Sequence, residues 1–305
     1  MKKISTIIPN YNGRELLEKN LPEILAAVKD TEIIIVDDGS LDGSVEYLKK
    51  NFPKIKIIKN KKNQGFVFSA NRGIKTAKGE IVILLNTDIR PERNFLAAIL
   101  SNFKEDTFAI ASLQQIREGK RKFFGGAPKG LFRYGFLKHL NQKGPYPKVF
   151  PIFYANGGAS AFSRQKLLEL GGFDEIYSPY YWEDADLSWQ AQKRGWKVLG
   201  ASQSRVFHEH ESTIQKQGKR VRKVASRNFF IFNWKNLSNL DLILKHLFWL
   251  PINLTRELFR GNFVYWAGFF MALGKLPQII RIRKNNRKYY QVPDKEILKK
   301  WQNQS

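Results

Sequence analysis

The stretch Ile33-Ile34-Ile35-Val36-Asp37-Asp38-Gly39-Ser40 decides how this chain folds. Four β-branched apolar residues in a row read as a short strand buried on both faces, the habit of a parallel sheet covered by helices. The two carboxylates follow where that strand must end. In open sheets of this kind ligands bind beyond the carboxyl ends of the strands. Asp37 and Asp38 therefore face a crevice, where they can accept hydrogen bonds from a nucleobase or ribose. Ser40 or Asp42 serves equally well as a cap for the following helix.

The same pattern repeats on either side. Apolar runs at Ile4–Ile8, Ile55–Ile58, Ile81–Leu85 and Phe108–Leu113 alternate with amphipathic segments at Arg14–Val28, Ser44–Asn51, Phe66–Ala77 and Asn94–Phe103. This alternation predicts βαβ units and an α/β fold with a mostly parallel, Rossmann-like sheet flanked by helices. Residues 117–150, rich in Lys, Arg, Gly, Pro and aromatics, read as one long surface loop. Regular structure resumes over Phe153–Phe162. Helices are expected at Arg164–Leu170 and from Glu183 to Arg194, each stopped by glycine, with a strand at Lys197–Ala201 between the second helix and His208.

The formal net charge is +25, which favours polyanions, anionic lipid or phosphate-bearing substrates. There is no cysteine, so disulfides, zinc-thiolate centres and thiol nucleophiles are excluded. The first ten residues read as a core strand and not as a signal peptide. No Walker loop or Gly-x-Gly-x-x-Gly fingerprint supports kinase or NAD chemistry.

Three further constellations carry chemistry. Asn86-Thr87-Asp88 follows the fourth strand; an Asp there can hold a divalent cation that neutralises a diphosphate, or can simply form a turn. Trp182-Glu183-Asp184-Ala185-Asp186 opens a helix. Its acids either complement the helix dipole or supply a general base, with Tyr181 and Trp182 as a wall for a sugar's C–H face. His208-Glu209-His210-Glu211 offers metal ligands, His208 more than His210.

Together with Ile7-Ile8-Pro9-Asn10-Tyr11-Asn12-Gly13, Asn63-Gln64-Gly65-Phe66, Asn71-Arg72-Gly73, Asn156-Gly157-Gly158-Ala159 and Gly171-Gly172-Phe173-Asp174-Glu175, these motifs resemble family 2 glycosyltransferases of the GT-A nucleotide-diphospho-sugar transferase fold. They fall in family order across roughly residues 4–210. The nearest likeness is to the bacterial rhamnosyltransferase and galactofuranosyltransferase branch. The resemblance implies an inverting transfer from a UDP- or dTDP-sugar to a hydroxyl of a glycan or polyprenyl-linked acceptor, in cell-surface polysaccharide synthesis. It places Pro9, Tyr11, Asp37, Asp38, Gly65, Asn71, Asn86 and Asp88 at the donor, and Trp182, Tyr181, Gly157 and Gly158 at the acceptor. Asp184 would be the base and Glu183 its helper. Asp88 and His208 would hold Mg2+ or Mn2+, although Asn86 stands where the family's Asp-x-Asp form has its first acid.

On this reading residues 1–214 form the catalytic domain, 1–115 its nucleotide half and 116–214 its acceptor half. Residues 215–305 form a basic, aromatic helical tail. Lys216, Lys219, Arg220, Arg222, Lys223 and Arg227 cluster at its start, ahead of apolar stretches at Leu242–Leu254 and Phe263–Leu273. Both stretches are shorter than the ~18 to 20 apolar residues of a spanning helix. They are expected to lie in the interface of an anionic membrane, on its cytoplasmic face, or else to pack on the catalytic domain or on a second subunit. The rival readings are a nucleotidyltransferase, a catalytically silent sugar-nucleotide binder and a basic nucleic-acid-binding protein; the last has no recognisable module here, and no nucleic-acid partner is expected.

Overall fold

The computed structural model describes residues 3–118, 121–209 and 218–302. His210, Glu211 and Lys216 lie outside the described residues.

The first half is the expected alternation: β1 Ile4–Asn10, α1 Arg14–Ala27, β2 Glu32–Asp37, α2 Ser44–Asn51, β3 Lys56–Lys59, α3 Phe66–Thr76 and β4 Ile81–Leu85. β3, β2, β1 and β4 lie side by side and parallel, with Asn10 level with Asp37. Strand periodicity sorts the side chains. Ile7, Val36 and Leu84 face α3, while Ile8, Ile35 and Ile83 join the core with α1 and α2. The strands' carboxyl ends thus stop along one edge, and the acids behind them share it.

Next come β5 Ile89–Pro91, α4 Phe95–Leu100, β6 Thr107–Glu118, β7 Arg121–Gly125, β8 Pro128–Arg133, β9 Phe136–Asn141, β10 Val149–Pro151, β11 Ala159–Ser163, α5 Arg164–Leu170, a 3-10 turn at Glu175–Tyr177, α6 Glu183–Lys193 and β12 Lys197–Glu209. β11 runs antiparallel between β4 and β6, and β12 pairs parallel with β6. The sheet order is β10-β12-β6-β11-β4-β1-β2-β3.

The long loop expected over 117–150 is not a loop. β7 folds back on β6, and β8 and β9 form a separate hairpin whose turn, Tyr134-Gly135, has positive φ at both positions, the geometry that matches strand twist. The hairpin's apolar residues pack on partners far along the chain, Phe136 against Phe229 and Phe230. Over Phe153–Phe162 only β11 is regular. β12 extends eight residues beyond the expected Ala201, past an irregularity between Ala201 and Arg205.

The tail comprises α7 Gly218–Asn236, α8 Leu240–Phe259, α9 Phe263–Leu273, α10 Leu276–Arg287 and α11 Asp294–Gln302. Its helices share one core with the middle of the chain: Phe153, Tyr177 and Trp189 meet Phe230, Phe232, Ile279, Ile297 and Trp301. The tail is thus packed onto the middle of the chain. Two buried polar anchors fix the arrangement. His246 is bound through Nδ1 to the Gly135 carbonyl at 2.7 Å and accepts from the Trp234 indole N–H at 3.0 Å. Lys193 forms a buried ion pair with Asp294. Among the described residues no single helix is long and apolar enough to cross a membrane; α9 and α10 pass that test only as a pair bent by 63°.

Trp301 is 4% exposed, edge-on to Phe153, with its indole N–H donated to the Pro151 carbonyl at 3.3 Å. Trp301→Ala removes a buried aromatic from the seam between the tail and the rest of the chain. It should lower unfolding free energy by about 3–5 kcal/mol, read from denaturant unfolding followed by far-UV circular dichroism. A loss under about 1 kcal/mol would mean that the tail is not docked as described.

Candidate active site

The sheet edge gathers four loops. After β2, Asp37 is fully buried; it accepts from the Asn10 side-chain amide at 2.9 Å and the Ser40 backbone N–H at 3.0 Å. Asp38, 3% exposed, accepts from Asn60 at 2.7 Å and from the backbone N–H groups of Gln64 and Gly65, the latter at 2.7 Å. As placed, both carboxylates are committed to the chain itself. Pro9 is half-buried beside Val36, and Tyr11, 38% exposed, stands at the mouth.

After β4, the Asn86 backbone N–H donates to the Gly158 carbonyl at 3.0 Å, and Asn20 of α1 holds the Thr87 carbonyl at 2.8 Å. These bonds turn Asp88 back toward β12. There its Oδ2 lies 3.2 Å from Nε2 of His208. Asp88 is 6% exposed, and its Oδ1 is buried with no hydrogen-bond partner.

Ahead of β11, Gly157 and Gly158 form the floor between the two sides. A Cβ on Gly157 would sit 2.6 Å from the Phe66 ring and 3.0 Å from an Asp184 oxygen; on Gly158 it would sit 2.7 Å from the Asn86 amide. Only bare backbone fits. The Gly157 N–H donates to Asp184 Oδ1 at 3.0 Å. A continuous rim results: Asp38 holds Gly65, the neighbouring Phe66 lies on Gly157, Gly157 binds Asp184, and Gly158 carries Asn86 and the turn to Asp88.

Burial pushes the Asp184 carboxyl up to about 7, against the pull of the Gly157 N–H. Glu183 is raised well above the usual carboxylate range by burial and then by the neighbouring Asp184 charge. Its Oε2 is buried without a partner. A carboxylate poised near neutrality beside an unsatisfied one suits proton removal from an alcohol.

The Asn71 amide is spent on the Phe173 backbone, donating to the carbonyl and accepting from the N–H, both at 2.8 Å; it staples α3 to the loop after α5. Trp182 is half-buried, its ring against Phe229, Phe232 and His139. Tyr181, 40% exposed, is the ring of the pair with open surface.

Sequence reasoning missed the polar partners supplied by α7. Lys235 bridges Asp174 and Asp186 at 2.6 Å each, and Asn228 binds the loop ahead of Glu183. The available signal was Asn228 and Lys235 at the two ends of the apolar run Phe229–Trp234, where a polar residue must find an internal partner.

A divalent cation fits the Asp88–His208 pair. A hard carboxylate oxygen left unpaired beside an imidazole nitrogen is a suitable donor set for Mg2+ or Mn2+. No third acid or histidine joins them among the described residues.

The sequence matches the family model for Glycosyl transferase family 2 over residues 5–171. It is 36% identical over 115 residues to a cholesterol galactosyltransferase of Borreliella burgdorferi, covering 37% of this chain and 32% of that protein. It is 24% identical to the uncharacterized glycosyltransferase YfnE of Bacillus subtilis, covering 79% of this chain and 73% of that one. GalNAc-T7, solved with UDP, GalNAc and Mn2+, superposes with a TM-score of 0.60 at 19% identity over 76% of this chain and 47% of its own. The mannosyltransferase PcManGT of Pyrobaculum calidifontis, solved with GDP-Man and Mn2+, gives 0.55 at 15% identity over 94% and 80%. The chain thus spans about a third of the first relative and about half of GalNAc-T7. The structural likeness is one of fold, and the fold is GT-A.

The raised acidity of Asp184 has a stability consequence. The folded chain binds its proton more tightly than the unfolded chain does, so stability is lost as pH rises from about 4 to about 7. Asp184→Asn removes that loss while keeping an oxygen for the Gly157 N–H. The variant should melt higher than the parent at pH 8, with the gap closing toward pH 4, by differential scanning calorimetry. A gap independent of pH would contradict the assignment.

Proposed function

The chain belongs to glycosyl transferase family 2, and from that premise we propose that it transfers a sugar, with inversion, from a nucleoside-diphosphate donor to an acceptor hydroxyl. The observation that carries this is the shared rim: Asp184 hangs on Gly157, while the Asn86–Asp88 turn hangs on Gly158.

Asp184 takes the proton of the acceptor hydroxyl as its oxygen attacks the anomeric carbon. Glu183, its carboxyl held well above the usual range by burial and then by the Asp184 charge, orients that hydroxyl. Tyr181 offers an open aromatic face to the acceptor sugar. Asp88 and His208 would hold the divalent cation, which when bound would neutralise charge on the departing nucleoside diphosphate. Displacement is direct, and no covalent sugar–enzyme intermediate is needed. The finer reading follows the motif set: a UDP- or dTDP-sugar of the rhamnosyl or galactofuranosyl kind, used in cell-surface polysaccharide synthesis. The named activities of the relatives agree with the class of reaction.

The acceptor we favour is lipid-linked, met at the cytoplasmic face of a membrane. Leu244, Leu247 and Phe248 on α8, Phe259 at its end, and Phe263 and Phe270 on α9 are exposed, Phe259 at 87%. Arg256, Arg260 and Lys275 lie in or beside the same two helices. An apolar strip among cations suits anionic headgroups, each cation near the surface adding about 1 kcal/mol.

Three measurements test these assignments. Melting shifts across a panel of nucleotide sugars, with and without Mn2+, should show one donor that stabilises only with the metal. Asp88→Ala should abolish that shift. Asp184→Asn should keep it and lower kcat by ~10² to 10⁴; full activity would refute Asp184 as base. In flotation, the protein should rise with vesicles of anionic lipid at low salt. The Phe259→Ser and Phe263→Ser double variant should bind about tenfold more weakly or worse, and a parent protein that stays in the soluble fraction removes the membrane assignment.

A further inference from the structure

Two consecutive residues immediately ahead of Glu183 occupy left-handed backbone: Tyr181 at φ 72° and Trp182 at φ 73°. Bulky L-residues disfavour this region, so the conformation persists only where the surroundings impose it. The surroundings come from α7. The Asn228 side chain is completely buried, and its NH2 group donates to the carbonyls of Tyr177 at 2.7 Å, Tyr180 at 2.8 Å and Tyr181 at 2.9 Å. Its own carbonyl oxygen accepts from Nε of Arg227 at 2.9 Å, which fixes which way the amide faces. The Arg227 guanidinium reaches the Ser178 carbonyl as well, at 2.5 Å. Below them Phe229 and Phe232 receive the Trp182 ring. On the far side of the loop, Pro179 rests on Gly65.

We infer that Asn228 is the positioning residue of the catalytic base: it holds the 177–182 loop in a strained turn so that α6 begins with Asp184 facing Gly157. The inference rests on the function proposed above, because it takes Asp184 as the base. Asn228 touches no donor or acceptor group and acts only through the loop. An amide suits this task better than a hydroxyl or a cation, since two N–H donors must serve three carbonyls while one oxygen is gripped from behind. Without the clamp, Tyr181 and Trp182 relax to right-handed or extended backbone, and the first turn of α6 swings away from the glycine floor.

The test compares Asn228→Leu with Asn233→Leu. Asn233 sits on the same helix, equally buried, and pairs with the backbone of Leu137 in β9. It is thus a control for loss of a buried amide without contact to the loop. Both variants should lose stability to a similar extent. Asn228→Leu should also lose about 10²-fold in kcat with donor KM within about twofold, and its amides over residues 180–185 should exchange hydrogen for deuterium faster than in the parent. Asn233→Leu should keep kcat within a few-fold and leave those amides protected. Should Asn228→Leu not yield folded protein, Asn228→Ser, which keeps one donor, takes its place with the same pattern in smaller degree. Unchanged kcat, equal kcat loss in both variants, or kcat loss without faster exchange over 180–185 would each overturn the clamp. If the parent transfers no sugar from any donor tried, the proposed function fails, and the exchange comparison still decides whether Asn228 holds the turn.

Discussion

The hydrogen bond from the Gly157 amide to Asp184 joins the two halves of the site. It demands that a helix N-terminus and a loop ahead of an antiparallel strand meet with no side chain between them. The glycine pair satisfies that demand, Gly157 for Asp184 and Phe66, Gly158 for Asn86. Everything around the rim can be read as support for this contact. The Asp38 side leans on it through Phe66, and the Asp88 side through the Asn86 N–H on the Gly158 carbonyl. Alanine at either position would push apart groups that the proposed chemistry needs close.

The sheet was legible because its strands carry their own periodicity. Ile33–Val36 and Ile81–Leu85 are buried on both faces and need no distant partner to be recognised. The acids after them were legible for the same reason, since a strand's end fixes where its next residues stand. What those acids do was less so. Asp38 stands at the predicted edge, yet its oxygens are filled by Asn60, Gln64 and Gly65, partners set by loop geometry that no spacing rule encodes. Asn71 carries the same lesson, with its partner 102 positions away. The β8–β9 hairpin was hidden because its apolar face is covered by α7 and α8 and not by the sheet, so its residues read as a loop until the tail is folded over them.

The tail's apolar stretches were visible, but their division of labour was not. Amphipathic sequence shows that a helix has a face to bury; it does not show what it is buried against. Here α7 and α11 turn theirs inward onto Phe153 and Trp189, and α8 and α9 keep much of theirs outside. Buried ionic groups mark the inward set. Lys235 sits between Asp174 and Asp186, and Lys193 against Asp294. Such pairs add little net stability against apolar replacements, but a mismatched arrangement leaves a charge stranded, which penalises wrong docking strongly.

The span between Asp184 and the helix that grips its loop also sets an order of events during synthesis. The four parallel strands are complete by Leu85, and Asp184 itself is in place before the amide at 228 emerges from the ribosome. A nascent chain can therefore assemble the sheet edge well before it can hold the 177–182 loop in its turn, and that geometry arrives only with the tail.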